Sequence, residues 1–157
     1  MSEAITPAGD PQIGNLATPL NSSPFSLALI RNLPAYRQGL SANRRGLEIG
    51  MAHGYFIYGP LALLGPLRDS DYAGVAGVVG AVALVTILTI ALSLHGSVRE
   101  GDAIATVTTP NPPVAYGTKE GWSEFASGFF LGGCGGAIFA FILCEVLPLR
   151  ALAEIIM

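Results

Sequence analysis

The chain has 157 residues, of which 51% are hydrophobic and only 12% are charged, and its mean hydropathy is +0.54. A typical soluble domain carries charge on roughly 25% of its residues, and a soluble core this small could not hide so much apolar surface. The net charge is −3 and the basic side chains stand singly or in pairs, which excludes an electrostatic footprint for nucleic acid. We therefore expect an all-α integral membrane protein.

Residues 1–45 are predicted to form an N-terminal extramembrane arm. Its first part, 1–24, is rich in Pro, Gly, Ser, Thr and Asn and has no helical period, so we expect irregular structure there. The segment 25–40 joins a short apolar run to Tyr36 and Arg37. It is too short to cross a bilayer and suits an interfacial position at head-group level.

Residues 46–157 are predicted to form a three-helix transmembrane domain. The spans lie at about 46–67, 73–94 and 125–147, each near the roughly 20 apolar residues that a crossing helix needs. Between the second and third spans, a polar loop over 95–121 contains too many glycines and prolines for a long helix.

Small residues recur at a spacing of four in two of these spans. Such a stripe leaves one face of a helix bare, so that a neighbouring backbone can approach closely. We therefore predict that the first and third spans cross each other. The stripes consist of Gly46, Gly50 and Gly54 in the first span and Gly128, Gly132 and Gly136 in the third.

The distribution of Lys and Arg predicts the orientation. Four lie in the N-terminal arm and two in the 95–121 loop, which three spans place on one side of the membrane. The opposite side has two, Arg68 and Arg150. The positive-inside rule then puts the arm and the loop on the cytoplasmic side, and the 68–71 turn and the C-terminus on the other side.

Two ionisable side chains, Glu48 and His53, fall inside the first apolar span. Such groups are costly at membrane depth and indicate a functional site with a partner. On a helix they are separated by about 140° and about 7.5 Å along the axis, so two separate partners are the simpler interpretation. A neutral imidazole and a carboxylate can each ligate a metal, and the magnesium of a chlorophyll accepts one such axial ligand.

Each of these residues also has a structural interpretation. Glu48 could complement the positive end of the helix dipole or reach water, and His53 could form a hydrogen bond to a neighbouring helix. His95, at the end of the second span, suits a helix C-terminus, and chlorophyll ligation is the alternative for it. Asp69 and Asp71 offer oxygen ligands for calcium, but calcium takes six to eight, so a solvated acidic turn is favoured.

No catalytic arrangement emerges from the sequence, and we do not expect an enzyme. The alternative to a pigment-binding protein is a small membrane carrier of ions or protons in which Glu48 and His53 form a relay.

Four segments, in the same order, resemble subunit XI, the L subunit, of cyanobacterial photosystem I. This resemblance implies a non-catalytic thylakoid subunit with three spans that binds antenna chlorophylls and carotenoids and supports excitation transfer. It also implies contacts with the large core subunits and other subunits, with membrane lipids, and with L subunits of adjacent monomers, which the family joins into a trimer. The segments are NLPAYRQGL (32–40), GLEIGMAHGYF (46–56), GPLRDSD (65–71), and GWSEF with GFFLGG within 121–133.

The resemblance also implies roles for individual residues. The chlorophyll ligands of the family fall on Glu48 and His53. A calcium ion at the trimer contact would be held by Asp69 and the carbonyl of Pro66, with further ligands from the adjacent chain. His95 matches no ligand of the family, so its assignment rests on its residue type and position alone.

Overall fold

A computed structural model describes residues 5–9, 12 and 14–146 of a mostly helical chain. Residue 147, which ends the predicted third span, and the tail beyond it lie outside these residues. The elements are β1 (Thr6–Pro7), β2 (Leu16–Ala17), α1 (Pro24–Asn32), α2 (Ala42–Leu64), α3 (Ala73–Ser97), a 3₁₀ turn (Val114–Gly117), and α4 (Lys119–Phe141), which a π-helical turn continues over Ile142–Val146.

The N-terminal arm is more structured than its composition suggests. β1 and β2 form a short antiparallel pair in which Thr6 lies opposite Ala17. α1 begins after Ser23, whose hydroxyl accepts a hydrogen bond from the Ser26 N–H at 3.2 Å, the usual way to satisfy a free donor at a helix start. α1 has no buried residue, so it lies on the surface of the chain.

α2 begins at Ala42, earlier than the span predicted to start at residue 46, and ends at Leu64. The Ser41 hydroxyl caps it by accepting from the Arg44 N–H at 3.3 Å. This shift corrects the dipole interpretation of Glu48, because the first turn of α2 contains no acidic residue. A helix dipole acts mainly within the terminal turn, so it does not explain a carboxylate nearly two turns in.

The predicted contact between the first and third long helices is confirmed by the packing of α2 on α4. A methyl group on any glycine of the two stripes would overlap the backbone of the opposite helix. The glycines of α2 face the carbonyl oxygens of Phe125, Phe129 and Gly133, and those of α4 face the carbonyl oxygens of Asn43, Leu47 and Met51.

α3 packs against both α2 and α4, and small residues lie at each of these contacts. Gly77 of α3 packs on Tyr58 and Ala62 of α2, and Val85 of α3 packs on Gly133 of α4. Among the described residues, two helical segments are long and apolar enough to cross a membrane, α3 and the segment from Lys119 to Glu145. α2 has 23 residues, but basic and acidic side chains interrupt its apolar sequence.

Candidate functional site

Glu48 lies at one end of an apolar groove between α2 and α4. The groove has a volume of about 420 Å³. A carboxylate beside so much apolar surface needs compensation, since ions are costly to desolvate. The other lining residues are Pro34, Met51, Ala52, Tyr55, Gly135, Gly136 and Phe139.

The compensation comes from Arg37, in the linker between α1 and α2. Its Nη2 atom lies 2.5 Å from Oε1 and 2.7 Å from Oε2 of Glu48. Gly39 has a φ of 79° in this linker, a backbone conformation that favours glycine and lets the chain turn before α2. The sequence interpretation did not identify this pair. The only sign of the pair in the sequence is that Arg37 lies shortly before Glu48, with Gly39 between them.

His53 is exposed on α2 and its imidazole has a defined tautomer. Nδ1 lies 2.8 Å from the carbonyl oxygen of Ile49. A carbonyl can only accept, so Nδ1 donates its hydrogen and Nε2 of a neutral ring keeps a lone pair. The ring also meets Phe129 of α4 edge-on, with centroids 5.3 Å apart. The hydrogen bond therefore lies within α2, whereas the structural interpretation placed it on a neighbouring helix.

The structure places Glu48 and His53 on opposite flanks of the α2–α4 contact. Glu48 shares its groove with Phe139, whereas His53 contacts Phe129. Within the part of the chain that the structure describes, no hydrogen bond links the two side chains. This separation is consistent with two independent partners. A proton relay between Glu48 and His53, the alternative interpretation, would have no direct hydrogen bond between the two side chains.

His95 lies at the end of α3, on the same side of the bundle as Ile49. It is exposed and meets the Trp122 ring edge-on, with centroids 4.7 Å apart. A cavity of about 590 Å³ includes His95, Trp122, Phe125 and Ile49 in its lining. The cavity also includes Arg99 and several threonines from the loop before α4, so it is more polar than the Glu48 groove.

The loop that precedes α4 is fixed by a buried polar cluster that the sequence did not reveal. Tyr116 donates to the carbonyl oxygen of Ala35 at 2.9 Å, and Arg45, only 4% exposed, donates to the carbonyl oxygens of Pro34 and Ala35 at 2.9 and 3.1 Å. Burial raises the pKa of Tyr116 to about 12, and the nearby Arg45 charge opposes that rise. The cluster holds the 34–37 linker, and hence Arg37, against α2.

The turn between α2 and α3 carries the predicted calcium residues on its surface. Pro66 is exposed, and the Asp69 carboxylate lies 3.4 Å from Nε of Arg68 with its side chain 83% exposed. Within the described residues, no group of three or more His, Cys, Asp or Glu side chains could hold a metal ion. Asp69 and Pro66 could therefore contribute only part of a calcium site.

Comparison with known proteins places the chain among the subunits of photosynthetic reaction centres. The family model described as photosystem I reaction centre subunit XI matches residues 4–149. Relatives of that name are 70% identical in Picosynechococcus sp., over 94% of this chain and 97% of the relative, and 62% identical in Crocosphaera subtropica, over 98% and 99%. A relative in Prochlorococcus marinus is 50% identical over 98% of this chain and 78% of its own length. The chain belongs to the photosystem I reaction centre subunit XI family.

Proposed function

We propose that this chain is a non-catalytic subunit of photosystem I that holds antenna chlorophylls and carotenoids and connects monomers of the complex. The observation that supports the proposal is the position of two side chains that could each ligate a metal, Glu48 and His53, on opposite flanks of one glycine-packed helix pair. Each flank offers a donor beside apolar surface, which is what a metal-bearing ring in a membrane requires.

His53 is the stronger of the two donors. Histidines that bind a metal usually donate their other ring N–H to a carbonyl or carboxylate, which fixes the tautomer and the ring orientation. The hydrogen bond from Nδ1 to Ile49 does this, and it leaves Nε2 of an exposed residue with its lone pair. Bound chlorophyll would supply light absorption and excitation transfer, and His53 would hold its magnesium through a ring nitrogen.

Glu48 would hold a second chlorophyll over the apolar groove, and His95 is a further candidate ligand. His95 forms no hydrogen bond within residues 14–146, so both ring nitrogens keep their bonding capacity. Carotenoid and lipid chains would occupy the apolar grooves beside α2, α3 and α4. The groove lined by Val75, Val79 and Ile138, with a volume of about 280 Å³, is one such surface.

The membrane arrangement follows from the same proposal. α2, α3 and α4 would each cross the thylakoid membrane, with the N-terminal arm and the 95–121 loop on the cytoplasmic side and the 68–71 turn and C-terminus on the lumenal side. α2 would cross because its polar groups are met internally, Glu48 by Arg37 and Arg45 by backbone carbonyls. Adjacent copies in a trimer would complete a calcium site at Asp69 and Pro66.

The direct test replaces His53 with leucine in the assembled photosystem. We expect His53→Leu to lose one chlorophyll per subunit, with a matching loss in the low-temperature absorption spectrum, because no other donor replaces Nε2. Leu63→Met, at an exposed position on the same helix, is the matched control and should keep the full complement. An unchanged chlorophyll stoichiometry and spectrum in an assembled His53→Leu complex would remove His53 from the ligand set.

A further inference from the structure

The ion pair between Arg37 and Glu48 differs from the other two in the described part of the chain. Its side chains are 40% and 32% exposed, whereas the pairs Arg68–Asp69 and Lys119–Glu100 each include a carboxylate that is 83% exposed. A pair at the water interface contributes little to stability. The half-buried pair instead cancels a charge that would otherwise face apolar surface.

The contact with Arg37 does not use all the lone pairs of the Glu48 carboxylate. One nitrogen of Arg37 approaches both oxygens of Glu48, at 2.5 and 2.7 Å, and so occupies the region between them. A carboxylate has about four lone-pair sites, so lone pairs on the outer sides of the oxygens remain for another partner. The apolar groove, with Met51 and Tyr55 in its lining, begins at this carboxylate.

We propose that Arg37 is a positioning and charge-compensating residue for the Glu48 site, so that the pair acts as a net neutral oxygen ligand. A magnesium tetrapyrrole is itself uncharged, because its ring cancels the charge of the ion. An unpaired carboxylate would therefore leave one negative charge at membrane depth after ligation, whereas the Arg37–Glu48 pair leaves none. This inference rests on the proposed pigment-binding function.

The test compares variants in the complete photosystem by chlorophyll stoichiometry and low-temperature absorption and circular dichroism. Glu48→Leu defines the spectral contribution of the pigment at this site. Arg37→Met should lose the same contribution, because the remaining carboxylate is uncompensated. Arg37→Lys should keep most of it, and the double variant Arg37→Met with Glu48→Gln should recover it, since an amide oxygen is a neutral ligand.

Arg44→Met is the matched control, because Arg44 is an exposed arginine on the first turn of α2. It should leave the spectrum unchanged, and the pigment at His53 should be present in every variant as a sign of correct folding. If Arg37→Met does not assemble, the double variant decides, because it lacks the same guanidinium group.

An assembled Arg37→Met complex with an unchanged spectrum overturns the inference. A double variant that stays deficient, or that also fails to assemble, overturns charge compensation, because Arg37 then acts only through structure. If Glu48→Leu itself changes nothing, the pigment assignment at Glu48 fails, and the inference falls with it while the His53 site stands.

Discussion

Glu48 and His53, the two metal donors that we propose on α2, are held in place in different ways. A hydrogen bond to Ile49 fixes the tautomer of His53, so that Nε2 of the neutral ring keeps its lone pair. Glu48 is held by a salt bridge with Arg37, which lies in the linker before α2. The sequence could single out both residues as candidates, because ionisable residues inside an apolar segment are conspicuous. It could not identify Arg37, because that contact depends on how the linker folds back over α2.

Tyr116 provides a pH-dependent test of the buried cluster that holds this linker. Its pKa of about 12 lies above the ordinary value of 10.0, so the folded state binds the phenolic proton more tightly than the unfolded state. The stability from this group is fully present below about pH 10 and is lost as pH rises towards 12. Tyr116→Phe should flatten that decline and, at neutral pH, cost about 1 kcal/mol for the lost hydrogen bond to Ala35.

The measurement is the unfolding temperature of the detergent-solubilised subunit from pH 8 to pH 12. Tyr72→Phe, at an exposed position, is the control and should keep the wild-type slope. Equal slopes for wild type and Tyr116→Phe would show that the phenol at position 116 is not the group responsible.

At the scale of elements, the packing of α2 on α4 depends on glycine more than on side-chain interdigitation. Glycine spacing alone was enough to predict this pair, because only a residue without Cβ permits such close backbone approach. The start of α2 was less predictable. Ser41 caps a turn that contains Arg44 and Arg45, and an apolar window does not detect a helix that begins with charged residues.

Gly50 and Gly132 offer a test of this close contact. Alanine at either position would overlap the backbone of the opposite helix, at Phe129 or Leu47, and should destabilise the helix pair by about 1–3 kcal/mol or more. We expect a lower unfolding temperature and reduced incorporation of the subunit into the complex.

Gly135→Ala is the matched control on α4 for the unfolding temperature of the subunit, because a Cβ there meets no atom of the chain within 4 Å. Alanine favours a helix over glycine by roughly 0.5–1 kcal/mol, so this variant should be as stable as wild type or slightly more so. If Gly50→Ala and Gly132→Ala behaved like Gly135→Ala, backbone contact would not explain the packing.

At the scale of the whole molecule, the chain leaves much apolar surface for other molecules. Only 17% of the most apolar 18-residue stretch of α3 is buried inside the chain. Such exposure suits a helix that is surrounded by lipid, pigment or other subunits. The sequence predicted the membrane class from composition, but it could not say which surfaces face which partner, because those contacts lie outside this chain.

The acidic turn tests the proposed link between monomers. Asp69→Ala should reduce the fraction of trimers. The proposed calcium site, which an adjacent chain completes, would lose its charged ligand. The measurement is the size distribution of the purified photosystem with and without a calcium chelator. Asp102→Ala removes an exposed carboxylate in the 95–121 loop and should have no effect. Trimers of undiminished yield in Asp69→Ala, with calcium still bound, would contradict the site.

We infer that α2 offers Glu48 and His53 as metal donors to two separate tetrapyrroles, and a density map of the intact photosystem would reveal both pigments. We expect one tetrapyrrole with its central metal at Nε2 of His53 and a second at the Glu48 carboxylate, on the opposite flank of the helix pair. A map that shows only hydrocarbon chains or neighbouring side chains beside both residues would contradict it.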